Sequence, residues 1–325
     1  MSDARLHMRR RRLGSSDLWI SPVGIGTAPI GSTRDWRIYW GEQDEREAVR
    51  AIHAAIDAGI DWIDTAPFYG WGRAEEIVGR AVADRRDRVR VFTKCGSIRE
   101  PSGGDHMDLS PAAIRLDLER SLRRLGCEHV DLLQPHDVDP LVPIEESWGE
   151  VQRLVAEGKV RHGGLSNHDP ELMRRALTVG PVAAAQQPFN LLSRGVERDV
   201  LPFCREHAIG VLSWGSLAEG LLTAGFDLAL LEPDDFRRSR PNFQEPRYSK
   251  IRALTGELSG LAAPYGRSSS DLAIAWLLSR PAMAGAIVGI RSVDEAHALA
   301  RAGAWEAPPE LLHRTAEALS RFDRS

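Results

Sequence analysis

The chain has 325 residues, 42% hydrophobic and 27% charged, with a formal net charge of −4. That is enough apolar material for a sizeable core, and the acidic balance excludes a general nucleic-acid surface. No stretch reaches the roughly 20 apolar residues that cross a bilayer and the N-terminus has no apolar signal core, so a cytoplasmic protein without a membrane partner is expected.

Residues 1–8 are polar and read as a disordered tail, and the basic run Arg9 to Arg12 as the outer face of an edge strand or the frayed terminus. Arg12 to Pro22 then predicts a hairpin turning at Gly14, Ser15 and Ser16, suited to plug one end of a barrel. A short strand, Val23 to Thr27, leads into a long loop with Trp36, Tyr39 and Trp40; these read as exposed aromatics that either wall a substrate pocket or pack among themselves. The pocket reading enlists Trp36 and Trp40 with Phe68 and Trp71. From Glu45, Ala48, Ile52, Ala55 and Ile56 recur at helical spacing up to a stop at Gly59.

The stretch DWIDTAPFYGWG, residues 61–72, starts as a buried strand and ends as a loop carrying a carboxylate, a phenol and glycines. A helix over Arg73 to Ala83 follows, and the next strand closes on Lys94. Ser110-Pro111 supplies an N-cap and a first-turn proline to a helix striped by Ile114, Leu118, Leu122 and Leu125, after which a strand ends at His136. The alternation continues: a helix to Gly158, strand Val160 to Leu165 running into Ser166-Asn167, a helix capped by Asp169-Pro170, and strand Val182 to Gln187. Then come a helix from Glu197 to His207, strand Ile209 to Trp214, a long loop near Glu232 to Pro246, helices around Ile251 to Leu261 and Ser270 to Leu278, and strand Ala286 to Ile290.

The length alone admits one α/β domain or two, but about eight strand–helix units in unbroken order predict a (β/α)8 TIM barrel. The expectation is a single barrel domain over 1–325, with an N-terminal β-hairpin and extra helices near the C-terminus. The three cysteines, Cys95, Cys127 and Cys204, have neither the number for a disulfide framework nor metal-ligand spacing, so no metal is expected. Cys95 adjoins Lys94, whose charge would favour a thiolate; the plain alternative is a small buried strand residue.

Asp64, Tyr69, Lys94 and His136 all stand at or just past strand ends, where the loops of such a barrel converge. An ammonium beside a phenol favours the phenolate, a carboxylate keeps the ammonium charged, and an imidazole can orient a carbonyl. The task implied is protonation of an oxygen as charge develops on it. Each residue alone is more often a capping or ion-pairing group; four together at equivalent positions are not.

DTAPFYGWGRAEEIVG, TKCG, LLQPHD and GGLSNH, in this order, resemble the signature blocks of the aldo-keto reductases, a likeness running from Leu13 to about Ala300. The resemblance implies Tyr69 as general acid, Lys94 and Asp64 as its modulators and His136 as the group orienting the substrate carbonyl. It implies an oxidoreductase that interconverts a small carbonyl compound and its alcohol, as a monomer or homo-oligomer. Residues 39–44 and the Trp71-Gly72-Arg73 loop are most similar to bacterial sugar- and inositol-related reductases.

No Gly-x-Gly-x-x-Gly follows the first strand, so the nicotinamide cofactor is expected at the barrel mouth. Ser166, Asn167 and Gln187 suit a carboxamide, and Trp214 offers a ring to stack on nicotinamide where the family usually has Tyr. Gly215, Ser216, Leu217 and Gly220 lie in a segment that resembles the family's pyrophosphate crossing, with Ser216 a candidate donor. Gly289, Arg291 and Glu295 lie in one that resembles its holder of the adenosine 2′-phosphate; Arg291 is the anion partner and Glu295 stands where the family has Gln or Arg. NADP(H) is therefore expected, with NAD(H) the alternative. A regulatory subunit that binds nicotinamide with little turnover is the rival reading; a metal-dependent isomerase or aldolase lacks the paired carboxylates and histidines it would need.

Overall fold

Twelve strands and ten helices make up the computed structural model, which describes residues 6, 8–100 and 104–324. A hairpin, β1 (Arg11–Arg12) and β2 (Trp19–Ile20), precedes β3 (Val23–Gly26), α1 (Glu45–Asp57), β4 (Trp62–Asp64), α2 (Arg73–Val82) and β5 (Arg90–Cys95). A second antiparallel pair, β6 (Ser97–Arg99) and β7 (Asp105–Met107), leads to α3 (Pro111–Leu125), β8 (Val130–Pro135), α4 (Ile144–Ala156), β9 (Val160–Ser166), α5 (Pro170–Leu177) and β10 (Ala184–Pro188). The chain closes with α6 (Val200–Glu206), β11 (Gly210–Trp214), α7 (Arg247–Ala262), α8 (Ser269–Leu278), β12 (Met283–Gly289), α9 (Val293–Gly303) and α10 (Pro309–Arg324).

Strands β3, β4, β5, β8, β9, β10, β11 and β12 pair in parallel and close on themselves as an eight-stranded barrel, with β12 hydrogen-bonded back to β3. The alternation of side chains along a strand sorts them between two cores. Ile63, Val91, Leu133 and Ala185 face the helices. Trp62, Phe92, Leu132 and Ala184 fill the barrel floor with Leu13, Leu18 and Ile20, so the hairpin is the expected plug. One step of the same alternation places Asp64, Lys94, Gln134 and Gln186 in the layer above, buried inside the barrel. Gly24 leaves room for Trp62 there: a Cβ would lie 2.2 Å from the indole.

Helix starts follow the capping chemistry. Ser110 and Asp169 accept hydrogen bonds from the amides of Ala113 and Leu172 ahead of Pro111 and Pro170, and Ser268 and Asp271 form a reciprocal capping box on α8.

Four expectations change. Residues 1–5 and 7 of the expected tail lie outside the described residues, but Met8 is packed into the helix-side core and the Leu6 amide donates to the Ala58 carbonyl. Trp36 and Tyr39 are not exposed: 1% and 4% of their surface is accessible. The helix expected from Glu197 is a 3-10 turn, Gly195–Glu197, followed by the shorter α6. The β6–β7 pair was not expected, because its short polar segments lack an apolar alternation. Among the described residues no helix is long and apolar enough to cross a membrane.

Candidate active site

Three neighbouring strands deliver the central side chains. Lys94 Nζ, fully buried, donates to Asp64 Oδ2 at 2.6 Å and to the Thr65 carbonyl at 3.1 Å, and lies 3.2 Å from the Tyr69 hydroxyl. The imidazole of His136 stands edge-on to the Tyr69 ring, centroids 5.8 Å apart. Tyr69 reaches this place through a sharp turn in which Gly70, Trp71 and Gly72 all have left-handed backbone. At Gly70, φ +58°, a Cβ would come within 1.8 Å of the Gly31 carbonyl oxygen, so only glycine lets the two loops meet.

Electrostatics give each group a definite protonation. Burial raises the Tyr69 pKa; Lys94 pulls it back and Asp64 pushes it up again, leaving it above the ordinary phenol value. The expected lowering by Lys94 is real as a contribution but does not win. Burial works against the Lys94 ammonium, but Asp64 and Tyr69 outweigh it and keep the lysine charged. Burial, then the Lys94 charge, hold His136 well below the ordinary imidazole value, so its ring is neutral at pH 7. Cys95 corrects the thiolate reading: its side chain packs on the helix side, and burial drives its pKa well above the thiol value.

Gln186 and Gln134 escaped the sequence reading. Gln186 Nε2 donates to Asp64 Oδ1 at 2.8 Å and lies 3.5 Å from Gln134 Oε1, so an amide holds the carboxylate oxygen that Lys94 does not use. Gln187, the expected carboxamide ligand, is instead on the outward step of β10 and donates to the His168 carbonyl at 2.7 Å. The apolar run Val182 to Ala185 has no alternation to mark which of the two glutamines points inward.

Phe68 and Trp36 pack edge to face beside Tyr69, with centroids 5.4 Å apart, and Trp71 meets Phe68 the same way. Thus Trp36, Phe68 and Trp71 are brought together at the site. Trp40 touches the edge of this cluster and turns toward Phe236 and the Arg237 guanidinium. Arg37 pairs with Asp105 at 2.7 Å and Arg99 with Asp35 at 2.9 Å, linking the β3–α1 loop to the β6–β7 hairpin. The two arginines also lie over Phe68 and Trp71.

On the opposite strands, Asn167 (φ +62°) donates to the His136 carbonyl at 3.0 Å and accepts from Trp214 Nε1 at 3.0 Å, and the Trp214 ring remains 37% exposed. Ser166 is buried at the end of β9. Ser216, expected as a ligand donor, is turned inward: its hydroxyl bonds the Ile287 carbonyl at 2.8 Å and Ser213 Oγ at 2.8 Å. Leu217 packs on the core. Gly215, Ala218, Glu219 and Gly220 are left-handed, and the amides of Ala218 and Gly220 donate to the Gly215 and Leu217 carbonyls within the turn. The polar groups of Ser166, Asn167 and Gln186 and the open indole of Trp214 fit the nicotinamide end of a dinucleotide.

Gly289 ends β12 beside Gly26. The Arg291 guanidinium is not open: Nε donates to Gln43 Oε1 at 2.8 Å, Nη1 to the Trp40 carbonyl at 2.7 Å and Nη2 to the Glu42 carbonyl. Glu295 accepts from the Arg291 amide at 2.6 Å, so its carboxylate occupies the start of α9. Among the described residues no group of His, Cys, Asp and Glu could hold a metal.

The sequence pattern of the Aldo/keto reductase family matches residues 22–319. An aldo-keto reductase of Bacillus subtilis, YhdN, is 37% identical over 302 residues, 92% of this chain and 89% of its own. The structure of a glycerol dehydrogenase from Gluconobacter oxydans superposes with a TM-score of 0.87 at 37% identity, covering 100% of this chain and 98% of that one. An aldo/keto reductase from Klebsiella pneumoniae, in complex with NADP and acetate, superposes with a TM-score of 0.72 at 28% identity, covering 97% and 95%.

Proposed function

Because the chain belongs to the aldo/keto reductase family, we propose that it reduces a small aldehyde or ketone to the alcohol, reversibly, with Tyr69 as the proton donor and NADPH as the preferred reductant. The observation that carries this reading is the buried chain Asp64–Lys94–Tyr69, with contacts of 2.6 and 3.2 Å. The nicotinamide supplies the hydride when bound. Tyr69, protonated at neutral pH, gives its proton to the carbonyl oxygen, and the Lys94 ammonium stabilises the phenolate left behind. Asp64 keeps the lysine charged, and Gln186 keeps Asp64 oriented. His136, neutral, fixes the carbonyl by a hydrogen bond.

Ser166 and Asn167 would hold the carboxamide, with Gln186 replacing Gln187 as the inward-facing amide, and Trp214 would cover the ring. Arg291 would take the 2′-phosphate by exchanging neutral carbonyls for a doubly charged anion, the stronger acceptor. Glu295 opposes that exchange, so the margin over NADH is small. The Gluconobacter relative is a glycerol dehydrogenase, which points to three-carbon polyols and their carbonyl forms as first substrates.

The test is a panel of aldehydes, ketoses and hydroxyketones with NADPH and, separately, NADH, followed by loss of reduced-cofactor absorbance. Turnover with at least one carbonyl, faster with NADPH, is expected. Tight binding of both cofactors with no reduction across the panel would contradict the reading and favour a nicotinamide-binding regulatory role.

A further inference from the structure

Three elements meet on one buried carboxylate behind the site. Glu75, in the first turn of α2, is fully buried, and its Oε1 accepts from Thr93 Oγ1 at 2.6 Å. Its Oε2 accepts from Arg124 of α3, from Nε at 2.7 Å and from Nη2 at 2.6 Å. Thr93 precedes Lys94 on β5, and the alternation of the strand turns the hydroxyl toward α2 while Lys94 points into the barrel. Arg124 lies against Gly72, which ends the turn that begins at Tyr69: a Cβ there would be 2.8 Å from Arg124 Cδ and 2.9 Å from Nε. One carboxylate thus ties the turn that carries Tyr69 to the strand that carries Lys94.

A carboxylate in this place is costly. Burial raises the Glu75 pKa, and Arg124 and then Thr93 work against that rise. Ile77, Val78 and Ala81 already pack α2 into the helix-side core, and a buried ion pair adds little stability over apolar contact. What it adds is direction, because charged hydrogen bonds fix angles and distances that apolar contact leaves loose. We propose that Glu75 is a positioning residue for the proton transfer: through Thr93 and Arg124 it sets the 3.2 Å contact between Lys94 Nζ and the Tyr69 hydroxyl. This rests on the reductase reading above and deepens it. Lys94 stabilises the phenolate left by that transfer, so a longer contact slows the chemical step and leaves the nicotinamide-binding groups alone.

Thr93→Val keeps the shape of the side chain and removes the hydroxyl that bonds Glu75; Thr93→Ser keeps the hydroxyl. Hydride transfer is followed in single turnovers of the full chain with NADPH and the fastest carbonyl of the panel, in the native and the Tyr69→Phe backgrounds. Thr93→Val should lower the rate by about tenfold or more in the native background and by less than about twofold in the Tyr69→Phe background. Thr93→Ser should stay within about twofold of wild type, with NADPH affinity unchanged in every variant. Arg124→Lys, which keeps the charge and loses the paired donors, should show the same pattern and serves where Thr93→Val does not fold. An equal loss in both backgrounds, or an unchanged rate with only a lower Tm, overturns the positioning role. A Tyr69→Phe rate equal to wild type, or no NADPH oxidation with any carbonyl, overturns the reductase reading on which that role depends.

Discussion

The phenol of Tyr69 keeps its proton at neutral pH because burial outweighs the neighbouring ammonium, and His136 stays neutral because burial and Lys94 both disfavour its charge. In the proposed role of general acid, Tyr69 must be protonated to work. The rate of carbonyl reduction at saturating substrate should be flat from roughly pH 6 to pH 9 and fall only above the ordinary phenol value of about 10. A rise or fall centred near the ordinary imidazole value would contradict this, because it would make His136 the titrating group. At this scale the sequence was legible for chemistry and poor for direction. Asp64, Tyr69, Lys94 and His136 could be named because strand-end residues converge whatever their rotamers. Gln186 and Gln187 could not be told apart, since adjacent residues differ only in which face of β10 they take. Ser216 and Arg291 look open in the sequence, but the Ser216 hydroxyl bonds the Ile287 carbonyl as well as nearby Ser213, and the Arg291 guanidinium bonds Trp40, Glu42 and Gln43 from a distant part of the chain.

The turn after β4 carries Tyr69, the proposed proton donor, and its geometry depends on Gly70. Any side chain there would be strained by φ +58° and would press on the Gly31 carbonyl, whose oxygen lies 1.8 Å from an ideal Cβ. Gly70→Ala should therefore destabilise the fold by about 1–3 kcal/mol, visible in a denaturant midpoint, and lower reductase activity by displacing Tyr69. Unchanged stability and activity would show that the turn relaxes freely. Elements were readable where two signals agreed: a helical stripe with a cap, as at Ser110-Pro111, or an apolar run followed by polar residues, as at Val130 to His136. The β6–β7 pair had no such agreement. It is positioned by the reciprocal ion pairs Arg37–Asp105 and Arg99–Asp35, which join segments more than sixty residues apart.

For the molecule as a whole, the repeated strand–helix alternation is what closes the barrel, and closure gathers β4, β5 and β8 so that their inward residues meet above a floor of Trp62, Phe92 and Leu132. That floor and the hairpin beneath it close one end of the barrel, and the Lys94–Asp64 pair lies in the buried interior above it, where burial opposes the ammonium and Asp64 keeps it charged. The barrel order was visible because each unit repeats the same period change; the packing of β1–β2 under the floor was visible only as a short hairpin signal. In the proposed reaction this closed sheet holds one phenol where it can hand a proton to a carbonyl. Single-turnover reduction by Tyr69→Phe, with NADPH affinity measured alongside, tests it most directly. A fall of about 10²- to 10⁴-fold in the hydride-transfer rate, with cofactor affinity unchanged, is expected. A rate within a few fold of the wild-type protein would contradict it.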